Sequence, residues 1–261
     1  MHTISATDPR LTWSGTISLE SNANSTKPWR IPHQDQDIYS PGVSELAGRA
    51  EMPSGVRLRF ATAATELTVV CEAFAEDGNF DLVIDNEIIA TTAFVAGDSE
   101  VRFADLPAGD KTLEIWLTPA MPVAVRHIAL PDGSDIAASE DTRLKWVTYG
   151  SSITHCRTAG SPATTWPGVA ARGQNLNLTS LGFGGQCHAD PLIARLIRDL
   201  PADFLSVKIG INIYGAASLS ARSFRPAVLG TIATIRDGHP DIPLAVCSPI
   251  WGHDRETTPN A

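Results

Sequence analysis

Three short segments carry side chains suited to acyl chemistry: Gly150-Ser151-Ser152-Ile153-Thr154, Gly182-Phe183-Gly184-Gly185 and Gly210-Ile211-Asn212. A serine hydroxyl becomes a nucleophile when a base takes its proton, and the oxyanion that forms needs hydrogen-bond donors aimed at it. Ser152 offers the hydroxyl. A glycine offers a backbone N–H that a substrate can approach closely, and Asn212 offers a side-chain amide. Each also has a plainer reading. Ser152 or Thr154 could be a turn or N-cap residue, the glycines ordinary loop residues, and Asn212 an Asx turn closing a strand.

The surrounding pattern decides where these segments fall. Apolar runs predict strands over 144–149, 176–182, 204–210 and 244–250, and helical spacing predicts helices over 165–172, 190–200 and 223–237. In the second helix Leu192, Ile193, Leu196, Ile197 and Leu200 form one apolar stripe. Strands alternating with helices imply a doubly wound parallel sheet, which binds ligands beyond the carboxyl ends of its strands. All three segments fall at such ends.

In that order and spacing the segments resemble the GDSL, or SGNH, hydrolases, over roughly residues 144–250. The family's first block reads Gly-Asp-Ser-Ile-Thr; here Ser151 stands where Asp is usual, and Gly210-Ile211-Asn212-Ile213 keeps the Asn of Gly-x-Asn-Asp and loses the final Asp. The resemblance implies a three-layer, flavodoxin-like α/β fold and a serine esterase or acyltransferase without cofactor or metal. It implies Ser152 as nucleophile, with the Ser152 N–H, the Gly185 N–H and the Asn212 side chain as oxyanion donors; Gly184 is the alternative to Gly185.

The general base is not visible. The family places Asp and His three residues apart near the C-terminus, and no aspartate here has a histidine three positions later. His155, His188, Tyr214 and His253 are expected to line the substrate pocket instead. A zinc site at His155-Cys156 or Cys187-His188 has no common ligand spacing. Two expectations follow. The α/β domain is C-terminally incomplete, a further segment or second chain supplying Asp and His; and the strand at 244–250, an apolar run suited to burial on both faces, lacks its neighbour.

Residues 1–138 read differently. A short strand at 13–17, a period-two run at 55–60 and further short strands at 67–71, 80–84, 88–91, 100–103, 111–117 and 123–128, separated by turns such as Asp77-Gly78-Asn79 and Asp85-Asn86, predict an all-β jelly-roll or β-sandwich domain. Its expected role is to wall the active site. A polar stretch at 131–141 links it to the α/β domain, 139–261.

Composition narrows the function classes. The 261 residues carry a net charge of −9 and no basic stripe, which argues against nucleic acid and anionic membrane as partners. The N-terminus has no basic-then-apolar leader pattern, and four cysteines fit a reducing compartment, so a cytoplasmic enzyme is expected. Gly-x-Ser-x-Gly and the nucleotide-binding glycine motifs are missing. The leading expectation is hydrolysis of a small carboxylic ester. Acyl transfer to a small-molecule alcohol comes second, and a non-catalytic binding relic third.

Overall fold

The computed structural model describes residues 2–253. The N-terminal strands are β1 (His2–Ser5), β2 (Thr12–Ser14), β3 (Ser18–Ser21) and β4 (Thr26–Trp29); helices α1 (Gln36–Tyr39) and α2 (Leu46–Ala50) come next. The strands resume with β5 (Arg57–Thr62), β6 (Leu67–Cys71), β7 (Gly78–Ile84), β8 (Glu87–Phe94), β9 (Glu100–Phe103), β10 (Lys111–Trp116) and β11 (Val125–Leu130). They form two antiparallel sheets, β3-β4-β11-β6-β9 with β1 beside β11, and β2-β5-β10-β7-β8. Alternation places Leu58, Phe60, Val69, Phe80, Leu82, Leu113, Ile115 and Ile128 between the sheets, in one core. This is the expected β-sandwich.

Sequence patterning misses β1, β3, β4 and both short helices. β3 is Ser-Leu-Glu-Ser with no buried residue, and β4 contains Pro28, so neither shows an alternating signal.

The second half contains β12 (Leu144–Gly150), α3 (Ser152–His155), α4 (Trp166–Gly173), β13 (Leu176–Gly182), α5 (Pro191–Asp199), β14 (Phe204–Lys208), α6 (Ile211–Ala216), α7 (Ala221–Gly238) and β15 (Leu244–Cys247). The sheet is parallel, ordered β13-β12-β14-β15, with Gly150 opposite Gly182 and Tyr149 opposite Val207. On one face α5 and α7 bury Ile193, Leu196, Ile197 and Ile235 against Val147, Leu181 and Leu205. On the other, Ala171 of α4 shares a core with Trp146 and Leu178. That is the expected doubly wound arrangement, and the order reverses at β12.

Two elements differ from expectation. β14 ends at Lys208 rather than 210, because Gly210 takes φ +139° and the chain turns into α6. β15 ends at Cys247, before Pro249, and is not buried on both faces: Val246 is 53% exposed. It is the outer strand of the described sheet, and edge position explains the exposure. Among the described residues no helix is long and apolar enough to cross a membrane.

The sandwich and the α/β layers share cores. Trp29, Ile31, Leu46 and Ala50 pack with Val147 and Leu181, and Val83 and Trp116 pack with Trp146. Arg30, fully buried, donates to the carbonyls of Met52 and Arg49 on its own side and of Ser180 and Gly182 at the end of β13. Burial lowers its pKa to about 9.

Candidate active site

At the end of β12 the chain turns sharply into α3, and the two adjacent serines part company. The Ser151 side chain is 1% exposed and caps α3, accepting the Ile153 N–H at 3.4 Å. Ser152 opens the helix and is exposed. The N-cap reading therefore belongs to Ser151, leaving the Ser152 hydroxyl at the carboxyl edge of the sheet.

Close packing sets this turn against β13. A Cβ on Gly182 would collide with the backbone of Thr154 and His155, so only glycine lets α3 sit over the strand end. Phe183 N–H donates to Gly150 O at 2.8 Å and starts the loop bearing Gly184 and Gly185. Gly184 lies over Ser152: a Cβ on it would stand 3.7 Å from Ser152 Cβ. Its N–H donates to His155 Nδ1 at 3.3 Å. Gly185 is exposed at φ +75°, a conformation that favours glycine. The Gly184 N–H is thus engaged within the fold, whereas no side chain among the described residues accepts the Gly185 N–H.

Asn212 completes the cluster from the other side of β12. It lies in the first turn of α6 rather than in an Asx turn, and its side-chain Oδ1 accepts the Cys187 N–H at 3.1 Å. That bond fixes the amide orientation and leaves the Asn212 NH2 as donor. The structure thus brings the three sequence segments together at the topological switch point, where open α/β sheets place their ligands.

The pocket residues scatter. His155 is fully buried, so it does not line an open pocket. Its Nε2 bonds the Pro119 carbonyl at 3.0 Å and its Nδ1 accepts the Gly184 N–H, which requires the neutral Nε2–H tautomer. Burial, reinforced by the nearby positive charge of Arg30, lowers its pKa to about 3. His188 is also engaged at both nitrogens, by the Gly185 carbonyl at 2.9 Å and the Ser218 hydroxyl at 2.7 Å. Tyr214 does line a cavity of about 530 Å³ with Ile213, Leu219, Phe224 and Pro249, beside Asn212 on α6. His253 is exposed, its ring 5.8 Å from that of Trp251.

Among the described residues no histidine nitrogen hydrogen-bonds the Ser152 hydroxyl, and no group of three or more His, Cys, Asp or Glu side chains could hold a metal. Cys187, beneath Asn212, is held protonated by burial, its pKa pushed up to about 12. Burial also raises the Asp190 carboxyl, which accepts the His188 N–H. Sequence reasoning missed Arg30 and the bracing bonds of His155. Their partners are backbone carbonyls and amides far along the chain, which no side-chain pattern marks.

Comparison with known proteins agrees with this geometry. Residues 144–258 match the GDSL-like Lipase/Acylhydrolase family, and residues 11–127 match the SsfX3 N-terminal domain. The salicylyl-acyltransferase SsfX3 from a tetracycline biosynthetic pathway is similar at 36% identity, with a TM-score of 0.87 over 94% of this chain and 74% of that one. A GDSL-like lipase from Bacteroides ovatus is 19% identical, with a TM-score of 0.70 over 94% and 73%. A family two carbohydrate esterase from Clostridium thermocellum is 15% identical, with a TM-score of 0.68 over 94% and 80%. No curated protein matches the chain.

Proposed function

We propose, from the premise that the chain belongs to the GDSL-like lipase/acylhydrolase family, that Ser152 is the nucleophile of a ping-pong acyl transfer. Ester hydrolysis or acyl transfer is the chemistry of the family; the serine, its donors and the substrate are our reading. A base takes the proton from Ser152 Oγ as the oxygen attacks the ester carbonyl carbon. The Ser152 and Gly185 N–H groups and the Asn212 amide receive the oxyanion. The C–O bond to the leaving alcohol breaks, the base returns its proton to that alcohol, and an acyl-enzyme remains.

One observation supports this reading above the others: Gly184 lies over Ser152 while Cys187, three residues on, fixes the Asn212 amide. His155 and His188 have both ring nitrogens engaged, so the base is a different group brought to Ser152 Oγ.

Water resolving the acyl-enzyme gives hydrolysis of a small carboxylic ester. Transfer to an alcohol is favoured by a separate observation: the relative at 36% identity is an acyltransferase, and the sandwich also matches that protein's N-terminal domain. Incubating the protein with an aryl ester and a panel of small alcohols separates the two. Free acid alone identifies a hydrolase, and a new ester forming at the expense of acid identifies a transferase. No product of either kind, above a Ser152→Ala control, removes both readings.

A further inference from the structure

We propose that His155 is a positioning residue, bracing the Gly184–Gly185 loop against the Pro119 carbonyl so that the β-sandwich helps to hold the oxyanion site. The inference rests on Ser152 being the nucleophile and Gly185 a donor. It assigns the N-terminal domain a part in catalysis beyond walling the site.

The bonding of this residue joins four segments. Its backbone N–H donates to Ser151 O at 2.9 Å, closing the turn that presents Ser152. Its carbonyl accepts the Ser54 hydroxyl at 2.7 Å, from the segment just before β5. Its ring donates to Pro119 O, between β10 and β11, and accepts from Gly184 N–H. The two ring bonds are specific in direction, because a neutral imidazole offers one donor and one acceptor at opposite corners of a rigid ring.

Ser152 and His155 are the first and last residues of α3, one turn of helix. The same turn therefore fixes the nucleophile and, through the ring, the loop whose next peptide N–H, that of Gly185, meets the oxyanion. The Gly182 contact allows no slack between α3 and this loop. Donors act on an oxyanion only when already in place, and a displacement of about 1 Å in such a site costs up to about 100-fold in rate. Arg30 reinforces the arrangement from below, donating to Gly182 O and stacking on Phe183 at 4.9 Å, but it makes no hydrogen bond to Gly184 or Gly185.

The test compares His155→Leu, which loses both ring bonds, with His155→Gln, whose amide can accept from Gly184 and donate to Pro119. A fluorophosphonate counts reactive Ser152 sites, so rates are expressed per labelled site and misfolded protein drops out. The leucine variant is expected to lose about 10- to 100-fold in kcat with little change in KM. A boronic acid, which forms a tetrahedral anion on the serine, should lose affinity in parallel, and the glutamine variant should recover most of both. Should the leucine variant yield no folded protein, His155→Asn, too short to reach both partners, takes its place with the same expected pattern. An unchanged kcat per site, an unchanged boronate affinity, or a glutamine variant no better than leucine overturns the proposal. Failure of the wild-type protein to label at Ser152 overturns the serine reading instead, and the inference with it.

Discussion

The side chains that define the site are distinguished by a single peptide step. The Ser151 hydroxyl accepts the Ile153 N–H inside the fold, whereas Ser152 is exposed. The family resemblance names Ser152 rather than Ser151 as the nucleophile, but the sequence does not show that Ser151 is the residue capping α3. Of the two glycines, the resemblance points to Gly185 with Gly184 as the alternative, and the structure shows the Gly184 N–H already donating to His155. For Asn212, the Cys187 bond orients the amide without using its NH2. Asn212→Ala should therefore lower kcat by about 10²- to 10³-fold with a smaller effect on KM, since its donor acts on charge that develops only in the transition state. Steady-state kinetics on an aryl ester would check this. A normal rate beside a collapsed fold would return Asn212 to a structural role.

Most elements were legible because their periods are strong. The α5 stripe at Ile193, Leu196 and Ile197 and the apolar runs of β12, β13 and β14 needed no tertiary information. Where a backbone exception set the boundary, patterning failed: Gly210 at φ +139° ends β14 early and starts α6, so Asn212 opens a helix instead of closing a strand. The turn of α3 adds a pH dependence. In the unfolded chain His155 titrates near about 6.5, and in the folded protein its pKa is lowered to about 3. Between those values the unfolded chain binds a proton that the folded protein does not. Stability from this residue is full above about pH 6.5 and falls as the pH drops toward 3. Urea unfolding at pH 7 and pH 4.5 should show a larger loss for the wild type than for His155→Gln. Equal losses would mean that His155 is not held neutral.

Across the whole molecule the two sheet systems are joined more tightly than a linker at 131–141 suggests. Trp29, Ile31 and Leu46 from the sandwich side enter the core behind β12 and β13, and Arg30 donates to backbone carbonyls of both halves, those of Arg49 and Met52 and those of Ser180 and Gly182. A buried cation hydrogen-bonded to four backbone carbonyls cannot be removed cheaply, since each of those oxygens would lose its donor. None of this was legible in the sequence: residues 26–50 show neither strand nor helix periodicity, and their contacts lie some 150 positions away. Fold class and the three site segments were legible, because local period and short motifs encode them. The brace was not, because it exists only once both halves have met. The Ser152 site thus depends on β12, on the β13 loop, on α6 and on the sandwich together. Labelling reports on that whole assembly. Incubation of the wild-type protein with a fluorophosphonate, followed by peptide mass spectrometry, should place one stoichiometric adduct on Ser152 and none on Ser151. An adduct on Ser151, or an unmodified, fully folded protein, would contradict the account.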